Sequence, residues 1–142
     1  MKINLNDIEY IIFDCDGVIL DSNKTKTKAF RETLKKYPKE SIDQLILFHT
    51  KNGGVSRKIK FEYFFNKILK IKNNKKLVDQ SLILFKKISF NKLVKSEYIK
   101  GVLKFIKILR LNSIKIFIVS GALQDELKEI FSKKKKLHLF DE

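Results

Sequence analysis

The stretch FDCDGVILDS, at residues 13–22, constrains the fold of this 142-residue chain more than any other feature. The apolar run before it, residues 8–13, is rich in isoleucine and aromatic residues and predicts a buried strand of a parallel sheet. The run ends in Asp14 and Asp16, and carboxylates at positions i and i+2 of an extended segment point the same way. They would repel one another unless a hard cation with oxygen ligands, Mg²⁺ above all, lay between them.

A second apolar run, IKIFIVSGA at residues 114–122, predicts another buried strand, and it ends in Ser120. Ligands of open parallel α/β sheets bind at the carboxyl ends of the strands. We therefore expect Asp14, Asp16 and Ser120 to lie at the same edge of the sheet, although they are far apart in the sequence. Taken alone, the Asp-x-Asp pair is more typical of a turn, which Gly17 would also favour.

Between and after the two strands, the apolar spacing, capping residues and Gly or Pro breaks predict helices. About seventy intervening residues are too many for one crossover helix, so we expect an inserted helical unit over the sheet edge. The predicted helices cover residues 21–37, 39–52, 56–72, 75–88, 96–112 and 123–136, with a short link at 89–96.

Composition restricts the class of protein and its partners. Apolar residues make up 44% of the chain, which is typical of a globular protein, and a single cysteine, Cys15, suits a reducing compartment. No apolar run approaches the roughly 20 residues that span a bilayer, so we expect a cytoplasmic protein without a membrane partner. The net charge of +15 favours anionic partners, but it is almost all lysine and no basic–aromatic motif accompanies it, so nucleic acid is not expected. Zinc is not expected either, because His49 and His138 lack Cys or His partners at ligand spacing.

As a whole string, FDCDGVILDS resembles the signature of the haloacid dehalogenase (HAD) superfamily: an apolar strand followed by D-x-D-G-[TV]-[LI]-x-D-S. The segment IFIVSGA resembles the second motif of that superfamily, an apolar strand that ends in Ser or Thr. The resemblance covers the whole chain and is to the phosphoglycolate phosphatase and beta-phosphoglucomutase-like branch. It implies a Rossmann-like α/β parallel-sheet core at residues 1–20 and 93–142, with an inserted all-helical cap at residues 21–92.

The resemblance also implies catalytic roles and a cofactor. Asp14 would be the nucleophile that forms an aspartyl-phosphate, and Asp16 would be the general acid and then the general base. The Asp14 side chain and the Asp16 backbone carbonyl would hold Mg²⁺. Ser120 and the N–H groups of Gly17 and Gly121 would bind the transferring phosphoryl group. The implied activity is hydrolysis of a small phosphorylated metabolite.

The segment NGGVSRKIKF, at residues 52–61, resembles a cap-loop motif of the beta-phosphoglucomutase-like branch. In that branch, cap residues contact the non-reacting part of the substrate, which would give this role to Gly54, Ser56 and Arg57. The planar guanidinium of Arg57 could bind a sugar hydroxyl, a carboxylate or a second phosphate, and a sugar phosphate is the leading substrate. The alternative is an exposed arginine after a Gly-Gly helix break.

The sequence departs from the family at its C-terminal end, LHLFDE. The third motif of the family is a lysine and the fourth is an acidic pair, and both lie beyond this point. The lysines at 133–136 and the acidic residues Asp141 and Glu142 come too early to replace them. We therefore expect an incomplete core that resembles the N-terminal portion of such an enzyme. Three functions stay open: a Mg²⁺-dependent phosphatase, a phosphomutase, and a catalytically inactive truncated fragment with only a binding role.

Overall fold

The computed structural model describes residues 4–141 and divides them into two compact units. Residues up to Ser22 and from Ser96 form one unit, the strand unit, and residues 23–95 form the other, the helical unit. None of the helices in the described range is long and apolar enough to cross a membrane. The elements in chain order are β1 (Tyr10–Asp14), α1 (Asn23–Thr33), α2 (Lys39–Lys51), α3 (Arg57–Tyr63), α4 (Lys75–Lys95), α5 (Val102–Leu111), β2 (Lys115–Val119) and α6 (Gln124–Lys133).

The strand unit contains the parallel sheet that the two apolar runs predict, which confirms the α/β class. β1 and β2 are direct neighbours, with Tyr10 opposite Lys115 and Asp14 opposite Val119. The two strands are far apart in sequence because the whole helical unit is inserted between them, yet they pair directly in the sheet. Both strands therefore end at the same edge of the sheet.

β1 is less buried than its apolar sequence predicts. Side chains alternate between the two faces of a strand, and only one face of β1 is well covered. On that face Phe13 is buried and its ring lies 6.1 Å from the ring of Phe105 on α5. On the other face Tyr10 and Ile12 remain 57% and 56% exposed. The prediction of a strand buried on both faces is therefore wrong for the face that carries Tyr10 and Ile12.

The link predicted at residues 89–96 is also wrong, because α4 continues to Lys95. The reason is a buried stripe at every fourth position, which keeps one helix face in contact with the interior: Ser81, Phe85, Ser89 and Leu93. α5 in turn begins six residues later than predicted. The intervening chain pairs with the loop after β1 instead, since the Asp21 N–H donates to the Glu97 carbonyl at 2.9 Å.

The helical unit is held together by phenylalanine rings. Phe30 of α1 lies 4.6 Å from Phe85 of α4 and 5.2 Å from Phe61 of α3, measured between ring centroids. All three rings are at most 2% exposed. α3 continues as a π-helical segment at Phe64–Ile68, which buries Phe64 and Phe65 as well. The high phenylalanine content therefore forms one aromatic core that joins α1, α3 and α4.

Asp141 fastens the end of the described chain to the outer side of β2. Its backbone N–H donates to the Ile116 carbonyl at 2.7 Å, and its Oδ2 accepts the Ile116 N–H at 2.7 Å. Arg110 of α5 completes the arrangement, with its guanidinium 2.9 Å from the same carboxylate. Both ionic side chains are 31% exposed, so water screens the pair only in part. The sequence pattern gave no signal for this bridge between α5, β2 and the last residues.

We expect the Asp141 bridge to make stability pH-dependent. The Ile116 N–H and the Arg110 guanidinium hold the pKa of the Asp141 carboxyl below its usual value of 3.8. Its contribution is therefore present above that value and is lost as the pH falls through the lower folded-state pKa. Asp141→Asn should reduce the free energy of urea unfolding by about 1–2 kcal/mol at neutral pH. The difference from the parent should shrink as the pH falls below 3.8 and the carboxyl becomes protonated in the folded state as well.

The matched control is Asp43→Asn, which breaks the Arg31–Asp43 pair, in which both side chains are nearly half exposed. We expect a loss below about 1 kcal/mol for this exposed pair. A difference between Asp141→Asn and the parent that stays constant from neutral to acidic pH would contradict the assignment.

Candidate active site

The carboxyl edge of the sheet brings together the residues that the two motifs predict. Asp14 is the last residue of β1 and lies opposite Val119, the last residue of β2. Ser120 follows Val119 directly, and Asp16 lies two residues beyond Asp14. The expectation that Asp14, Asp16 and Ser120 share one edge is confirmed by this register. The catalytic roles of these residues remain predictions.

Asp14 is exposed and has one oxygen fixed. Its Oδ1 accepts the backbone N–H of Cys15 at 2.6 Å, and its Oδ2 makes no hydrogen bond to the described part of the chain. The Cys15 side chain is 1% exposed and lies in the interior, as expected for the residue between two aspartates on a strand end. The Asp14 carboxylate therefore presents one oriented oxygen at the carboxyl edge of the sheet.

Asp16 is half-buried and is held by a residue to which the sequence gave no role. The hydroxyl of Ser22 donates to Asp16 Oδ1 at 2.6 Å, and Ser22 itself is fully buried. Ser22 belongs to the quoted motif, but a serine before a predicted helix is most simply interpreted as a capping residue. Only the fold shows that its hydroxyl points back to the start of the loop.

Gly17 supplies the turn between Asp16 and Leu20. Its φ of 77° lies in the left-handed region that glycine adopts without strain, so the prediction of a tight turn is confirmed. Its N–H donates to the Leu20 carbonyl at 2.8 Å, and this hydrogen bond closes the loop. A phosphate could accept a hydrogen bond from the Gly17 N–H only in competition with the Leu20 carbonyl. The phosphate-binding role of Gly17 therefore stays a prediction.

Ser120 and Gly121 form the corresponding loop after β2, and both are half-buried. The Ser120 Oγ accepts the backbone N–H of Ala122 at 3.2 Å, which orients the side chain. Its hydroxyl proton makes no hydrogen bond within the described residues, so it remains as a donor. This hydroxyl is the best candidate at the edge for contact with an anionic ligand.

Among the described residues, the functional groups that the motifs bring to this edge offer oxygen atoms as ligands, which suits a hard cation. The described residues contain no group of three or more His, Cys, Asp or Glu side chains that could hold a metal ion. Mg²⁺ does not require such a group, since one or two carboxylates, water and substrate phosphate usually complete its octahedron. The exposed carboxylate of Asp14 and the backbone carbonyl of Asp16 fit this donor set.

Lys134 is one of the lysines that come too early in the sequence for the third motif, and it makes structural contacts within the strand unit. Its ammonium donates to the Ser96 carbonyl at 2.6 Å and lies 4.7 Å from the ring centroid of Tyr98. Burial lowers the pKa of Lys134 and raises the pKa of the Tyr98 phenol. These contacts join the end of α6 to the segment before α5.

The predicted substrate-contact residues lie in the helical unit. Ser56 caps α3 by accepting the Ile59 N–H at 3.4 Å, and Gly54 lies in an exposed turn with open space around it. Arg57 is only 8% exposed, and its guanidinium carbon lies 5.0 Å from the ring centroid of Phe85. The alternative of an exposed arginine after a helix break is therefore wrong. Its role in substrate binding stays a prediction.

A parallel α/β unit with an aspartate pair at the carboxyl edge, interrupted by a helical unit, defines the class of this protein. The sequence pattern of the haloacid dehalogenase-like hydrolases matches residues 11–142, and the chain belongs to that family. No protein of curated function matches the sequence.

Two solved structures show the same fold. One is a haloacid dehalogenase-like family hydrolase from Streptococcus pneumoniae, with 16% identity and a TM-score of 0.63 over 94% of this chain and 59% of that one. The other is a beta-phosphoglucomutase from Clostridium difficile, with 20% identity and a TM-score of 0.62 over 94% of this chain and 60% of that one. The chain thus spans about three fifths of the length of the structures that it matches.

Proposed function

We propose that this protein is a Mg²⁺-dependent phosphatase that acts on a small phosphorylated metabolite through an aspartyl-phosphate. The observation that carries the proposal is the shared edge, where Asp14 ends β1 opposite Val119 and Ser120 follows at the same level. Membership of the haloacid dehalogenase-like hydrolase family supports the reaction class. The substrate and the residue roles below belong to the proposal.

In the first step Asp14 Oδ2 attacks the phosphorus atom and the bond from phosphorus to the leaving oxygen breaks. The Cys15 N–H holds Oδ1, so the other oxygen is directed towards the ligand. Asp16 donates its proton to the leaving oxygen, which departs as an alcohol. The Ser120 hydroxyl donates to a phosphoryl oxygen as charge develops on it.

In the second step Asp16, now a carboxylate, accepts a proton from water as the water oxygen attacks phosphorus. The bond between phosphorus and Asp14 breaks, inorganic phosphate leaves and Asp16 is again protonated. One carboxylate thus serves as acid and then as base, as microscopic reversibility requires. Asp14 and the Asp16 carbonyl would hold Mg²⁺, which when bound shields the negative charge of Asp14 and of the phosphoryl group.

The test is release of inorganic phosphate from p-nitrophenyl phosphate and from a panel of sugar phosphates, with Mg²⁺ or with a chelator. We expect release with Mg²⁺ alone, and retained release in the chelator would contradict the metal requirement. Repeating the assay with a sugar acceptor separates a phosphatase from a phosphomutase. Transfer to the acceptor in place of release would favour the mutase.

A second candidate is a non-catalytic protein that binds a phosphorylated ligand. It is favoured by the small number of acidic side chains at this edge, where the residues that the structure describes form no group of three that could hold a metal ion. Under this proposal inorganic phosphate or a sugar phosphate binds, but no phosphate is released. Any Mg²⁺-dependent turnover above that of an Asp14 variant would exclude it.

We further propose that Arg57 binds the non-reacting part of the substrate. Arg57→Met keeps an apolar side chain beside Phe85 but removes the guanidinium fork. We expect KM to rise about tenfold to a hundredfold with kcat little changed, because a hydrogen bond to a charged group contributes about 1.5–3 kcal/mol.

The matched control for Arg57 is Lys58→Met, which removes the neighbouring positive charge from a side chain that is 66% exposed. This variant should keep the parent KM. Equal KM and kcat values for Arg57→Met and Lys58→Met would show that Arg57 does not bind the substrate.

A further inference from the structure

We propose that Ser22 is a positioning residue, whose hydroxyl fixes the carboxyl group of Asp16 in the orientation needed for proton transfer. The effect on proton transfer rests on the proposed function, but the claim that Ser22 fixes the Asp16 side chain rests on the contacts alone. Ser22 lies six residues after Asp16, and both belong to the strand unit.

The contact is a short hydrogen bond. Oxygen–oxygen distances in O–H···O hydrogen bonds are about 2.5–3.0 Å, and Ser22 Oγ lies 2.6 Å from Asp16 Oδ1. The Leu20 carbonyl is a weaker alternative acceptor for the same hydroxyl, at 3.2 Å. A serine hydroxyl has a single proton, and the shorter contact assigns it to Asp16.

The loop between the two residues keeps Ser22 in place. The Leu20 carbonyl accepts the N–H of Gly17 at 2.8 Å and the N–H of Ser22 at 2.9 Å, so the start and the end of the loop share one acceptor. The Ser22 side chain is 0% exposed, which prevents water from replacing its hydroxyl. The donor is therefore preorganised before any ligand binds.

This arrangement matters because a general acid must meet its proton acceptor at hydrogen-bond distance and angle. An aspartate χ1 rotation moves both carboxyl oxygens by several bond lengths, and the Asp16 side chain is only half-buried. Holding Oδ1 fixes that rotation. Loss of the hydroxyl should leave the nucleophile intact and reduce only the steps in which Asp16 transfers a proton.

The first test needs no activity. Three-bond NMR couplings between the Asp16 Cγ and its backbone nitrogen and carbonyl carbon report the χ1 rotamer. We expect a single rotamer in the parent and in Ser22→Thr, which retains the hydroxyl, and averaged couplings in Ser22→Ala. The control is Ser89→Ala, which removes another fully buried hydroxyl that has no hydrogen-bond partner within the described residues. A single Asp16 rotamer in Ser22→Ala would overturn the proposal.

A second measurement uses the parent protein alone, and so does not depend on how the variants fold. A buried hydroxyl bonded to a carboxylate should exchange slowly with solvent and give its own proton resonance, with a cross-peak to the Asp16 β-protons. No such resonance at low temperature would also overturn the proposal.

The kinetic test compares leaving groups. Ser22→Ala should reduce kcat about tenfold to a hundredfold with an alkyl phosphate, whose leaving oxygen needs a proton, and much less with p-nitrophenyl phosphate. Equal losses for the two substrates would show that Ser22 is merely structural. If the parent releases phosphate from neither, the proposed phosphatase function fails for this chain, while the Asp16 couplings still decide the role of Ser22.

Discussion

Asp14→Asn is expected to abolish Mg²⁺-dependent phosphate release. The amide cannot attack phosphorus as a carboxylate does, and it is a poorer ligand for a hard cation. Loss of a catalytic nucleophile typically lowers kcat by at least about a thousandfold. The measurement is initial phosphate release with saturating substrate and Mg²⁺. Thermal unfolding should be nearly unchanged, since the side chain is exposed and the substitution conserves its shape.

The matched control for Asp14 is Asp21→Asn, in the same motif. Asp21 is also exposed, but it lies beyond the turn, and its backbone N–H rather than its carboxylate contacts Glu97. We expect near-parental release from this variant. Turnover by Asp14→Asn within tenfold of the parent would show that Asp14 is not the nucleophile and that the reaction does not pass through an aspartyl-phosphate at this residue.

Phe85→Ala is expected to cause the largest loss of stability. The ring is 1% exposed and contacts the rings of Phe30 and Phe61 within the core of the helical unit. Removing it leaves a cavity that three helices line, and such a substitution costs about 3–5 kcal/mol. The Arg57 guanidinium also loses the aromatic face on which it lies. The measurement is urea unfolding followed by far-UV circular dichroism.

Ile83→Ala is the control for Phe85→Ala, because Ile83 lies on the same helix but is 72% exposed. We expect this substitution to change the free energy of unfolding by less than about 0.5 kcal/mol. A loss below about 1 kcal/mol for Phe85→Ala would show that the aromatic contacts do not determine the stability of the helical unit.

The placement of the candidate site could be predicted because each part of it is local in the sequence. An apolar run followed by Asp14, Asp16 and Gly17 encodes a strand and its turn within a few residues. The rule that parallel strands end at one edge then placed Ser120 beside them without any knowledge of the intervening helices. The same local patterns predicted five helices between the strands, and only their ends were misplaced.

The boundary errors have a tertiary cause. Ser89 has weak helix propensity and lies where the link was predicted, but Ser81, Phe85, Ser89 and Leu93 form one buried stripe that holds α4 together. The exposure of Tyr10 and Ile12 could not be read from an apolar sequence either. Burial depends on which other segments cover a face, and that is not a local property.

The chemical groups of the candidate site and the edge at which they lie follow from the sequence alone, because strand periodicity and turn geometry act over short distances. How those groups are held depends on the tertiary structure. It directed the Ser22 hydroxyl to Asp16, placed Arg57 against Phe85, and joined Asp141 to Arg110 and Ile116 across β2. These partners are selected by the packing of segments that are separated along the chain, and side-chain hydrogen bonds follow that packing.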